Sequence, residues 1–154
     1  MKMGTTERKL FVCYALEGEP LEELQERLEL ISMGAQDAGF KTYAHIRDAQ
    51  GWRLNGTPVK EVLEAAFAEI RNADAVLLDL TSSSGRSRRV GLNIEAGYAK
   101  ALGKPILALW REPDRPNKTT DLADHERSYE HMDQIRRLTG ELLSEINVPS
   151  VTTV

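Results

Sequence analysis

The stretch GLNIEAGYAKALGKP, residues 91–105, sets one carboxylate, Glu95, among small residues and an aromatic, Tyr98, where a helical pattern begins. Just before it, TSSSGRSRR, residues 81–89, supplies hydroxyls and arginines. An acid in the opening turns of a helix gains only ~0.3–1 kcal/mol from the helix dipole, a modest reason for its placement. A carboxylate at the mouth of a sheet can instead act as nucleophile or base toward an electrophilic carbon. The preceding loop is either a solvated connection or an anion cradle. In the second case Ser84, Ser87, Arg88 and Arg89 stand before a helix N-terminus, where backbone N–H groups favour phosphate and arginine adds charge-assisted bonds.

Other chemistries lack their residues. Neither the phosphate-binding pattern GxxxxGK[ST] nor GxGxxG after the first strand occurs, which disfavours an ATPase or a dinucleotide enzyme. A nucleophile elbow GxSxG is missing too. His45, His125 and His131 have no metal-ligand spacing and are weighed as surface or core residues. The single cysteine, Cys13, excludes an internal disulfide and a thiolate metal site, and is more often a small apolar filler than a nucleophile. Trp52 either stacks on a base or anchors its loop, and Tyr14 carries the same ambiguity. No metal and no cofactor is expected.

The elements that must position these residues alternate between two periodicities. Residues 9–16, 74–80 and 105–110 are short apolar runs of strand length, and residues 41–46, KTYAHI, read as a further short strand. Leu21, Leu24, Leu28, Ile31 and Ala35 recur at helical spacing, with Pro20 suited to the first turn and Gly39 to the stop. Thr57 as cap, Pro58 as first residue and the stripe Val59, Leu63, Phe67, Ile70 predict a second helix. Residues 92–104 predict a third, and Met132, Ile135, Leu138, Leu142 and Ile146 a closing one, after a charged loop over 111–126. The β-α-β order predicts an α/β domain, Rossmann-like, with a mostly parallel sheet of about five strands and helices on both faces. Ligands in such sheets bind outside the carboxyl ends of the strands, where the strand order reverses. Residues 13–20, 45–57 and 79–95 must therefore line any site, which makes Asp79 and Asn93 substrate-binding candidates beside Tyr14 and Trp52.

Length and charge bound the rest. The 154 residues fit one domain over residues 9–147, with a flexible start over 1–8 and a loose tail over 148–154. A net charge of −4 gives no global basic field, so a nucleic-acid polymer is not an expected partner. No apolar run approaches the ~20 residues that span a bilayer, and the single cysteine suits a reducing compartment. A soluble, cytoplasmic protein is expected.

The stretch over 72–110, NADAVLLDLTSSSGRSRRVGLNIEAGYAKALGKPILALW, resembles the core of the nucleoside 2-deoxyribosyltransferase family, which includes the nucleoside 5′-monophosphate N-glycosidases. The shared features are an aspartate opening an apolar strand, a polar loop, a glycine-led helix carrying E-x-G-Y-A, and G-K-P before the next strand. They cover about a quarter of the chain.

The resemblance implies a parallel α/β fold, a homodimer or higher homo-oligomer whose sites borrow residues across an interface, and a small nucleoside or nucleotide as partner. It implies Glu95 as the nucleophile at the anomeric carbon, with Tyr98 or Tyr14 positioning the sugar. The family's transferases carry an acid six positions before that glutamate; here the position is Arg89, and a cation there favours a phosphorylated ligand. The preferred reading is hydrolysis of a (deoxy)nucleoside 5′-monophosphate to free base. The alternatives are base exchange on unphosphorylated nucleosides and a catalytically silent nucleotide-binding or sensor module.

Two departures mark this chain. The family's aspartate that protonates the leaving base is replaced by Ala66, eight residues before Asp74. The first loop reads CYALEGEP instead of a glycine-rich G-S-I-R-G, so its sugar and phosphate contacts do not carry over. Asn117 and Lys118, with Thr119, stand where the family reaches into a neighbour's site.

Overall fold

The computed structural model describes residues 7–53, 56–82 and 89–146. The loop residues Ser84, Ser87 and Arg88, and the two terminal segments over 1–6 and 147–154, lie outside the described residues. In chain order the elements are β1 (Arg8–Tyr14), α1 (Leu21–Asp37), β2 (Phe40–Tyr43), α2 (His45–Asp48), α3 (Val59–Asn72), β3 (Ala75–Asp79), α4 (Val90–Ala101), β4 (Ile106–Arg111), α5 (Asn117–Thr120), β5 (His125–Tyr129) and α6 (Ile135–Ser144). A single 3-10 turn, Met132–Gln134, leads into α6.

The five strands form one sheet in the order β2-β1-β3-β4-β5, and every pairing is parallel. Period-two alternation divides the core. Leu10, Val12, Ala75, Leu77, Leu107 and Leu109 point to the face covered by α1 and α6. Phe11, Cys13, Val76, Leu78, Ile106 and Ala108 point to the face covered by α3 and α4. Because both faces are covered, the central strands read as continuous apolar runs. α1 and α6 meet at Gly34, where any Cβ would run into the carbonyl oxygen of Arg136, so only glycine allows that approach.

The helix stripes behave differently. Leu24, Leu28, Ile31 and Ala35 of α1 are all buried. In α3, Ile70 and Ala66 are buried, whereas Val59 is 73% exposed, because the first turns of this helix overhang a cavity instead of the sheet.

Several local expectations are corrected. Pro20 and Pro58 occupy N-cap positions, so α1 starts at Leu21 and α3 at Val59, with Thr57 ahead of the cap. The second strand stops at Tyr43. The Asp48 carboxylate accepts the Ala44 N–H at 2.8 Å and the Tyr14 hydroxyl accepts the Ile46 N–H at 2.6 Å, which turns His45 and Ile46 into α2. The charged segment after β4 is not one loop: it holds α5 and the edge strand β5. Gly39 ends α1 as expected, at φ +84°. Among the described residues no helix is long and apolar enough to cross a membrane.

Candidate active site

β1 is flanked by β2 and β3, so the chain leaves β1 in one direction and later crosses back over it; the order reverses between the carboxyl ends of β1 and β3. A cavity of about 720 Å³ opens beside that point. All three segments singled out above contribute to its wall: Tyr14 and residues 16–19, then His45, Gln50, Gly56 and Thr57, then residues 90–92 with Ile94 and Glu95. Val59, Val62 and Leu63 of α3 close the far side. The lining is mainly apolar, with few polar groups converging on it, as small-molecule sites generally are.

Glu95 sits in the second turn of α4, past the reach of the helix dipole, which fades within the first turn. Burial pushes its carboxyl up to about 7, and the neighbouring Cys13 thiol opposes part of that rise. Among the described residues no cation pairs with it. Tyr14 faces the same cavity. Burial raises its phenol well above the ordinary value, the Ile46 N–H works the other way, and the charge of Glu95 adds to the rise. The phenol therefore stays protonated. Since its oxygen accepts from Ile46, its own proton is left for another acceptor. His45, also in the wall, is held below the ordinary imidazole value by burial, and its Nδ1 lies 3.3 Å from the Tyr43 hydroxyl.

The other candidates are placed elsewhere. Asp79 is buried at the end of β3, where its carboxylate accepts from Arg27 Nε at 2.9 Å and from the Thr81 N–H at 3.1 Å. Arg27 is itself buried and also reaches Glu19 at 3.5 Å. Arg89 takes the N-cap position of α4 and donates through Nη2 to the Leu80 carbonyl at 2.9 Å. It lines a second cavity, of about 610 Å³, with Ser82, Arg111 and Arg115. Tyr98, one turn beyond Glu95, stacks on Phe67 with ring centroids 4.4 Å apart and accepts from Arg71 at 3.0 Å, in the seam between α3 and α4. Trp52 packs against the α1-side core at φ +65°, its N–H bonded to the Ile46 carbonyl at 2.8 Å. Asn93 accepts from the Thr119 hydroxyl at 2.8 Å, which ties α4 to α5. Asn117 opens α5, and Lys118 is exposed on it.

The structure thus brings Glu95 and Tyr14 together and leaves Asp79, Asn93, Tyr98, Trp52 and Arg89 off the described wall of the Glu95 cavity. It adds His45, which the sequence weighs only as a surface or core residue, and Glu17 and Gln50, which it does not single out. The signal for His45 was its position: it follows the second strand directly, inside a segment already assigned to the crevice. Ala66 is fully buried in the α3/α4 core, so the position of the family's acid is filled by packing.

Comparison with known proteins accords with this geometry. The family model for nucleoside 2-deoxyribosyltransferase matches residues 19–136. No curated protein matches the chain in sequence. Among solved structures, the CMP N-glycosidase BcmB of Clostridium botulinum is 15% identical over 85% of this chain and 97% of that one, with a TM-score of 0.58. A 2-deoxyribosyltransferase from Bacillus psychrosaccharolyticus is 16% identical over 83% and 90%, with a TM-score of 0.60. BlsM, solved in solution, is 22% identical over 97% and 100%, with a TM-score of 0.65. At such identities these structures share the fold. With the family model spanning most of the sequence, the chain belongs to the nucleoside 2-deoxyribosyltransferase family.

Proposed function

We propose that the chain cleaves the N-glycosidic bond of a (deoxy)nucleoside 5′-monophosphate, with Glu95 as nucleophile. The observation that carries the reading is a carboxylate on the wall of a largely apolar cavity, unpaired with any described cation and so free to meet a positive centre. A module that only binds phosphate would have no use for an unneutralised acid beside its ligand.

In the proposed reaction a Glu95 oxygen bonds to the anomeric carbon while the bond to the base nitrogen breaks, its electron pair leaving with the base. The base takes up a proton there. With alanine at position 66 that proton comes from water, since burial keeps His45 in the wall neutral in the range where Glu95 is ionised. Water then attacks the anomeric carbon of the glycosyl ester, releasing the sugar and the Glu95 carboxylate, with one proton given up. The neutral Tyr14 hydroxyl is a hydrogen-bond donor for the sugar. Arg89, with Ser84, Ser87 and Arg88 of the loop before α4, is assigned to the phosphate, and the exposed Lys118 to a neighbouring copy in a homo-oligomer.

Base exchange on unphosphorylated nucleosides is the second reading. It is favoured by one observation: the described wall carries Glu17, Glu19 and Glu95 and neither lysine nor arginine. The test is release of free base from a panel of ribo- and deoxyribonucleosides and their 5′-monophosphates, with and without an acceptor base, by wild type and Glu95→Ala. Release that needs both the phosphate and Glu95 supports hydrolysis; transfer between unphosphorylated nucleosides supports the second reading. Binding without either reaction would leave a silent nucleotide-binding module.

A further inference from the structure

α1 carries a charge on its buried face. Arg27 stands there between Leu24 and Leu28 and is 1% exposed. A guanidinium does not give up its proton, so burying it requires acceptors. Two segments of the crevice supply them: Nε donates to Asp79 Oδ2 at 2.9 Å, at the carboxyl end of β3, and Nη2 lies 3.5 Å from Glu19 Oε1, in the loop after β1. Asp79 alone would balance the charge. Glu19 brings a second, wholly buried carboxylate to the same cation, and its loop, residues 16–19, is a wall of the Glu95 cavity. We propose that Arg27 is a positioning residue: its guanidinium ties the loop after β1 to the end of β3 and so holds one wall of the Glu95 cavity in place.

The role in the reaction rests on that cavity being the substrate site; the tie itself does not. Guanidinium geometry suits the task, because a planar fork of N–H groups can hold two carboxylates where an ammonium is a point charge. Burial opposes the Arg27 charge, and Asp79, then Tyr129 and Glu19, more than offset it. The other oxygen of Asp79 accepts the Thr81 N–H at 3.1 Å, and the Thr81 hydroxyl meets the Tyr129 hydroxyl at 2.6 Å, so the end of β3 is anchored in turn to β5. On the loop's side, the Glu19 N–H donates to the Leu16 carbonyl at 3.2 Å and closes the turn that brings Glu17 and Gly18 to the cavity. The wall thus takes its place from the sheet edge through Arg27.

The test reads the loop directly, by backbone amide exchange followed by NMR without ligand, the rates of residues 17–19 being taken relative to Leu77 and Leu107 in the sheet. Two variants cut the tie at different points. Glu19→Ala leaves the Arg27–Asp79 pair intact, and Arg27→Met/Asp79→Leu exchanges that pair for apolar groups, a change that buried ion pairs often tolerate. Each should speed the loop amides on the order of tenfold relative to the sheet, the signature of local opening, and Glu19→Ala should add little in the exchanged background. Where turnover is measured, KM should rise on the order of tenfold with kcat within about twofold, since Glu95 is untouched and binding alone is weakened. Loop rates that stay at wild type, or that rise only as far as those of the sheet, overturn the proposal. So does full additivity of the two changes. If the exchanged pair does not fold, unchanged loop rates in Glu19→Ala decide against it. Because exchange needs neither ligand nor turnover, faster loop amides in a protein without activity count against the functional reading and not against the tie.

Discussion

Burial opposes the charge on Glu95, and the opposition has a direction that can be measured. The folded state raises this carboxyl from about 4.5 to about 7, so the native protein holds the proton more tightly than the unfolded chain does. The corresponding stability is full below the unfolded value and is lost as pH rises through about 7. Glu95→Gln, neutral at every pH, escapes that loss. It should melt close to wild type near pH 4 and higher than wild type above pH 7, with an upper bound on the order of 3 kcal/mol. Thermal unfolding of both proteins across pH checks this. Equal Tm differences at pH 4 and pH 8 would show that the glutamate is not desolvated. The same titration sets the acidic limb of the proposed reaction near pH 7, since only the ionised carboxylate attacks. A site residue that costs stability when charged is what functional constraint predicts at this position, and a solvated helix start would show no such cost.

Among the elements, β3 ends in a charge buried for structural use. Asp79 holds Arg27, which in turn reaches Glu19 in the loop that walls the cavity. Asp79→Ala would strand a buried guanidinium, and a loss of about 3–5 kcal/mol in denaturant unfolding is expected. Wild-type stability in that variant would instead return Asp79 to the list of substrate ligands. This is where the sequence could not be read further: an acid ending an apolar strand looks the same whether it faces a ligand or an arginine fifty-two residues away. The three inner strands, β1, β3 and β4, were legible because a sheet covered on both faces leaves continuous apolar runs. β5 was not, because HERSY is an edge strand with a single buried residue, Tyr129. The crevice segments followed from topology alone, and Glu95 and Tyr14 with them. Tyr98 could not be placed that way. It lies one turn from Glu95 on the same helix, yet the ring of Phe67 on α3 draws it into the seam, a tertiary contact no local pattern displays.

In the whole molecule, the first turn of α4 stands between two cavities of opposite character. The Glu95 cavity has carboxylates and apolar side chains on its described wall, and the Arg89 cavity is lined by three arginines with Glu112 and Asp114. The rim of the first exposes Val59, Val90 and Ile94, apolar groups suited to the flat face of a base. A sheet ordered β2-β1-β3-β4-β5 brings all of this to one edge from segments far apart in the chain. The central claim is that Glu95 becomes covalently attached to the sugar. The most direct measurement is intact and peptide mass spectrometry after incubation with 2′-fluoroarabino nucleosides and their 5′-monophosphates, in which the fluorine slows release of the glycosyl ester. The account predicts a mass increase of one fluorinated sugar, or sugar phosphate, on the peptide containing Glu95, and none in Glu95→Gln. Turnover of the parent substrates with no adduct on that peptide, or an adduct on another residue, would contradict it.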